Sequence, residues 1–121
     1  MTENPSGVVA IVDDDSAVLD SLKFLLEVVG YKVATYGSAQ AYLGDNGTDA
    51  ACMIVDQHMP GMTGLELVQR LRDDGTGIPV LLITGSSSPA IVARAARLGV
   101  EKVLEKPPEE DDLLKFVRAW I

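Results

Sequence analysis

Five short apolar runs punctuate the chain: Val8 to Val12, Lys32 to Tyr36, Ala51 to Val55, Val80 to Thr84 and Lys102 to Leu104. Runs this brief and this apolar predict strands buried on both faces, the pattern of a parallel sheet. Longer segments with helical spacing lie between them. Val18, Leu22, Leu25 and Val29 recur every three or four residues, and Gly30 stands where a helix-terminating glycine belongs. Thr63 and Glu66 form a T-x-x-E capping box that opens a helix carrying Leu65, Val68 and Leu71. Ser88 and Pro89 suit the N-cap and first position of an Ala-rich helix ending near Gly99. Leu113, Phe116 and Trp120 supply the inner face of the last helix. A weaker helix, Ser38 to Leu43, runs into the turn-rich Gly44 to Asp49.

The pattern is therefore β-α repeated five times, without internal repeat, linker or low-complexity tract. Right-handed crossovers turn that order into a doubly wound α/β fold, a parallel sheet with helices on both faces. Ligands of such sheets bind outside the carboxyl ends of the strands. Chemistry is to be sought there.

Composition narrows the field of partners. With 121 residues, 47% apolar and 23% charged, the chain is sized and composed for one globular domain. Ten Lys+Arg against eighteen Asp+Glu leave a net charge of −8, the wrong sign for direct nucleic-acid binding. A single cysteine, Cys52, excludes an internal disulfide and any multi-cysteine zinc site; in an apolar strand it reads as a small core residue. Met1 to Gly7 lacks the make-up of a signal peptide, and no apolar run approaches the ~20 residues of a membrane helix. A cytoplasmic location away from membranes is expected.

The strand ends carry the chemistry. Strand one ends in Asp13-Asp14-Asp15, strand three in Asp56, strand four in Thr84, and strand five in Glu105-Lys106-Pro107. Clustered carboxylates repel one another unless something positive sits among them. An all-oxygen cluster suits a hard divalent cation, Mg²⁺ in particular. A carboxylate beside that metal can attack phosphorus and form an aspartyl-phosphate. Thr84 and Lys106 would then hold the phosphoryl oxygens, one by hydrogen bond and one by charge.

In its motifs the chain resembles the receiver domain of two-component response regulators. The resemblance runs from about Val8 to Trp120 and is carried by I-V-D-D-D (11–15), V-D-Q-H-M-P-G-M-T-G (55–64), L-L-I-T-G (81–85) and L-E-K-P (104–107). The L-L-I-T-G and M-P-G pieces are most similar to receivers of the nitrogen-fixation and nodulation class. The resemblance implies a flavodoxin-like (βα)5 fold with strand order 2-1-3-4-5, residues 8–121 forming the domain and 1–7 a flexible N-terminus. It makes Asp56 the phospho-acceptor and Asp13 and Asp14 the acidic pair for Mg²⁺ or Mn²⁺. Asp14 would be a direct ligand, as would Asp56 and the backbone carbonyl of His58. His58, Met59, Gly85 and Val103 are placed to modulate the pocket. The Lys106–Pro107 peptide is expected to be cis, as only X–Pro bonds carry a low cis penalty.

The implied function is that of a signalling module, not an enzyme in its own right. It accepts a phosphoryl group from a sensor histidine kinase or phosphotransfer protein and alters a surface read by an output domain or effector. The face of the fourth helix, fifth strand and fifth helix is the expected surface. A homodimer joining Arg94 and Arg97 of one copy to Glu109–Asp112 of another is an expected product of phosphorylation. Val103 stands where the family usually has an aromatic, so a rotating-aromatic switch is not expected. Pro108 also replaces a common aromatic, and an unusual start to the last helix is expected.

Read one at a time, the same residues have plainer accounts. Asp13 to Asp15 would make a solvated turn and helix cap, Asp15 above all. Lys106 would be a surface lysine, His58 an incidental histidine, and Met59 a packing residue. A different chemistry also uses the D-x-D of Asp13 to Asp15, in a phosphatase of the haloacid-dehalogenase type. Asp13 would be its nucleophile and Asp15 its acid/base. Ala17 breaks the continuation of that motif, 121 residues leave no room for a cap domain, and Asp56 is left without a role.

Overall fold

The computed structural model describes residues 7–45 and 49–121. Residues 1–6, most of the expected flexible N-terminus, lie outside the described residues, as do 46–48 of the expected turn. The elements alternate: β1 (Val8–Val12), α1 (Ser16–Val28), β2 (Lys32–Tyr36), α2 (Ala39–Leu43), β3 (Ala50–Asp56), α3 (Gly64–Asp73), β4 (Val80–Thr84), α4 (Pro89–Arg97), β5 (Lys102–Glu105) and α5 (Glu110–Trp120). All strand pairs are parallel, and the sheet order is β2-β1-β3-β4-β5. The chain winds first to one edge, returns, and then proceeds to the other. The winding reverses between β1 and β3, the place where such sheets open a crevice.

Alternation along each strand divides the core into two layers. Val9 and Ile11 of β1, Cys52 and Ile54 of β3, and Leu81 and Ile83 of β4 meet α1 and α5, through Leu22, Leu26, Leu113, Phe116 and Val117. The intervening residues Ala10, Val12, Met53, Val55, Val80 and Leu82 face α2, α3 and α4. The apolar runs of β1, β3 and β4, broken only at their carboxyl ends, follow directly, because both faces are covered.

Burial on both faces holds for β1, β3 and β4 but not for β2 and β5. The latter are the sheet edges, and Lys32, Thr35, Lys102 and Glu105 are exposed there. Caps lie where the sequence places them. The Ser88 hydroxyl accepts from the Ile91 N–H, the Thr63–Glu66 box is closed in both directions, and Gly30 ends the first helical unit at φ +104°. Asp15 caps α1 with its side chain, accepting from the N–H groups of Ala17 and Val18. Two inner faces differ from expectation. In α1 the buried pair is Leu22 and Leu26, an i, i+4 step, while Val29 lies past the last turn and is exposed. In α5, Val117 joins Leu113 and Phe116 inside; Trp120 is the final helical residue and stays exposed, while Ile121 packs partly buried against the same layer.

Candidate functional site

Backbone pairing fixes the site before any side chain acts. Register sets Val12 beside Val55, Asp56 beside Ile83, and Thr84 beside Glu105, so the carboxyl ends of four neighbouring strands finish close together. The ladder continues one step beyond the strands. The Asp13 N–H donates to the Tyr36 carbonyl at 3.0 Å, the Gln57 N–H to the Ile83 carbonyl at 2.8 Å, and the Lys106 N–H to the Thr84 carbonyl at 2.9 Å. Asp13, Asp56, Thr84 and Lys106 are thus held by sheet backbone. The Lys106–Pro107 peptide is cis, as expected.

Asp13 and Asp56 are nearly excluded from water at 3% and 2% exposure, Thr84 is wholly buried, and Asp14 is exposed. Asp13, Asp14 and Asp56 each offer a carboxylate oxygen within 4.8 Å of the others, a group able to hold a metal ion. Burial raises the Asp13 pKa, an effect the Asp15 N–H on its carboxylate opposes and the Asp56 charge reinforces. Lys106 reaches in from the surface, and its Nζ lies 2.8 Å from Asp56 Oδ1. That contact is the main reason the Lys106 pKa is raised. Apart from this ammonium, no donor among the described residues satisfies Asp56 Oδ1. A buried carboxylate oxygen supplied with so few donors is poised to take a cation or an electrophile.

The turn after Asp56 is also tied down. The Gln57 side-chain oxygen accepts from the Leu65 N–H at 2.8 Å, and its backbone carbonyl from the Gly64 N–H at 3.2 Å. Gly64 has no room for more: a Cβ there would sit 2.6 Å from the Asp56 carbonyl oxygen. His58 is exposed, and its Nε2 lies 3.2 Å from Thr84 Oγ1. Of the expected modulators, Met59 is buried in the layer with α2 and α3, Gly85 is exposed with open space around it, and Val103 packs partly buried against the same layer. The strand periodicity holds no signal for Gln57 or for the grip of Glu105 on the Ser87 N–H and hydroxyl, at 3.1 and 2.7 Å.

Five parallel strands in this order, with three acids and a lysine gathered at their carboxyl ends, define a flavodoxin-like α/β domain whose charged crevice could hold a metal ion. Residues 9–118 match the family described as "Response regulator receiver domain", and the chain belongs to that family. It is similar to the transcriptional regulatory protein FixJ of Bradyrhizobium diazoefficiens, with 36% identity over 95% of this chain and 57% of that protein. FixJ of Azorhizobium caulinodans is 40% identical over 92% of this chain and 53% of that protein. The crystal structure of FixJ-N superposes with a TM-score of 0.83 at 31% identity, covering 98% of this chain and 93% of that one. The expected kinship with nitrogen-fixation regulators is borne out. The chain spans little more than half the length of these curated relatives.

The phosphatase alternative is not favoured. Its would-be nucleophile, Asp13, accepts the Asp15 N–H, and its would-be acid/base, Asp15, is committed to capping α1. Among the described residues no helix is long and apolar enough to cross a membrane.

Proposed function

We propose that Asp56 is the phospho-acceptor of this receiver domain and that Lys106 and Thr84 hold the phosphoryl group. One observation carries the reading: a nearly buried Asp56 whose Oδ1, among the described residues, meets only the Lys106 ammonium, beside two further carboxylates. The donor set is oxygen only, which fits Mg²⁺ or Mn²⁺. Asp13, Asp14, Asp56 and the backbone carbonyl of His58 would hold that ion. When bound, it offsets carboxylate repulsion and the negative charge that gathers on the transferring phosphoryl oxygens.

In the transfer, an Asp56 carboxylate oxygen forms a bond to phosphorus while the bond from phosphorus to the donor breaks. The donor is the phosphohistidine of a sensor kinase or phosphotransfer protein, and its imidazole leaves with the bonding pair. Lys106 balances the added charge, and buried Thr84 offers its hydroxyl to an equatorial oxygen. The ends of β4 and β5 lead into α4 and α5, so this change biases the α4–β5–α5 surface toward an output domain, an effector or a second copy. We take residues 8–121 as the functional domain, acting in the cytoplasm without direct contact to nucleic acid or membrane.

The test uses acetyl phosphate with Mg²⁺. One phosphoryl mass should add to the chain, with acetate released, and Asp56→Asn should abolish the addition. A mass gain that survives in Asp56→Asn places the nucleophile elsewhere and overturns the assignment.

A further inference from the structure

The Thr84 hydroxyl is fully occupied in this structure. A threonine hydroxyl has one proton to give and two lone pairs to receive. Thr84 Oγ1 donates to the Ser86 carbonyl at 3.1 Å, accepts from the Ser86 N–H at 3.2 Å, and lies 3.2 Å from His58 Nε2. Since its only proton goes to Ser86, the third contact is one in which His58 donates. The count assigns His58 an Nε2–H directed at Thr84.

We propose that His58 is a positioning residue that latches Thr84 in this saturated arrangement, and that the latch gives way when Thr84 Oγ1 shifts to serve a phosphoryl group. The inference rests on the reading of Asp56 as acceptor. To donate to a phosphoryl oxygen, Thr84 must withdraw its proton from the Ser86 carbonyl, which breaks one of the two hydrogen bonds holding the start of the β4–α4 connection. If Oγ1 also moves toward the new anion, it leaves His58 as well. His58 therefore deepens the resting state and sets how readily the segment after Thr84 responds. Thr84 is wholly buried, so no water can replace the lost partner without rearrangement. His58 is exposed and belongs to neither core layer, which frees its ring to play this part without a packing duty.

The variants are His58→Phe, which keeps a ring and loses the N–H, and His58→Gln, whose amide can donate over a similar reach. Two readouts are needed: exchange of the Ser86 amide in the unliganded protein, and the beryllofluoride concentration that half-saturates the protein with Mg²⁺ present. His58→Phe should speed Ser86 exchange several-fold and lower the half-saturating concentration about fivefold, the worth of one net hydrogen bond. His58→Gln should return both toward wild type. A His58→Phe protein that matches wild type in either readout, or binds beryllofluoride more weakly, overturns the latch, as does failure of His58→Gln to restore. Wild type that takes up no beryllofluoride, or Asp56→Asn that takes up as much, overturns the acceptor reading instead; Ser86 exchange still reports on the latch by itself.

Discussion

Cys52 and Asp56 stand four residues apart on one strand, both out of water, and burial gives them opposite fates. Cys52 faces the α1/α5 layer among apolar neighbours, and desolvation pushes its thiol up to about 12. Asp56 ends the strand, where charge surrounds it and Lys106 stands within 2.8 Å. Alternation gives the two the same side, so position along the strand separates their roles: Cys52 lies mid-strand in the apolar layer, and Asp56 ends the strand at the crevice. The thiol should accordingly be silent in the folded protein. A thiol-specific reagent at pH 8 should label Cys52 at the rate of unfolding and label it fast in denaturant. The sign with pH also follows. A folded pKa of about 12 against an ordinary 9.0 means that the neutral thiol is favoured in the fold. Its contribution is whole below pH 9 and fades as pH rises toward 12. Urea midpoints of wild type and Cys52→Ala, compared from pH 8 to 10.5, should show wild type alone losing that share. Rapid labelling of the native protein would contradict this account.

At the scale of elements, the acceptor turn between β3 and α3 shows what sequence could and could not reveal. The capping box at Thr63 and Glu66 was legible because its signal is local, two side chains reaching backbone three residues away. The strand ends were legible because a run of apolar residues stops at a charge. The Gln57 cap on Leu65, the His58–Thr84 contact and the Glu105–Ser87 grip were not, since each joins residues eight or more positions apart through side chains. No periodicity encodes such contacts. Edge exposure of β2 and β5 was not readable from their own residues, because strand order belongs to the sheet and not to the strand; only the family resemblance, with its order 2-1-3-4-5, implied it. Gly64 is the element's most sensitive point. Its Cβ would meet the Asp56 carbonyl at 2.6 Å and a Leu82 methyl at 2.9 Å, and backbone cannot step aside as a flexible side chain can. Gly64→Ala should cost about 1–3 kcal/mol through overpacking. It should also slow phosphoryl uptake by Asp56, which the shifted carbonyl belongs to. A urea midpoint and an acetyl phosphate rate equal to wild type would show that the turn relaxes freely.

The whole molecule joins two dry layers to one charged crevice, and the crevice sits where the winding of the sheet reverses. That arrangement was readable from β-α order and the charges at strand ends, because topology leaves few other places for them. Its energetic consequence is a fold that carries repulsion at its most ordered point. Asp13, Asp14 and Asp56 are brought within 4.8 Å, whereas in the unfolded chain Asp56 lies more than forty residues from the other two. Like charges ~4 Å apart cost roughly 1 kcal/mol in water and about 4 kcal/mol at an effective dielectric of 20. Lys106 offsets part of this, but its side chain is 40% exposed and screened by solvent. Asp13 is the place to relieve the rest, being the buried member whose charged form is disfavoured by burial and by Asp56. Asp13→Asn keeps an oxygen for the Asp15 N–H and removes the charge. In chelator this variant should melt several degrees above wild type. Mg²⁺ at a hundredfold excess over its dissociation constant should stabilise wild type by about 2.7 kcal/mol and do little for the variant. A solvated tangle of independent acids would respond to neither treatment. Thermal melts of both proteins in chelator and in Mg²⁺ separate the two cases: equal melting of wild type and Asp13→Asn in chelator, with no Mg²⁺ shift in wild type, would mean the three acids share no ion.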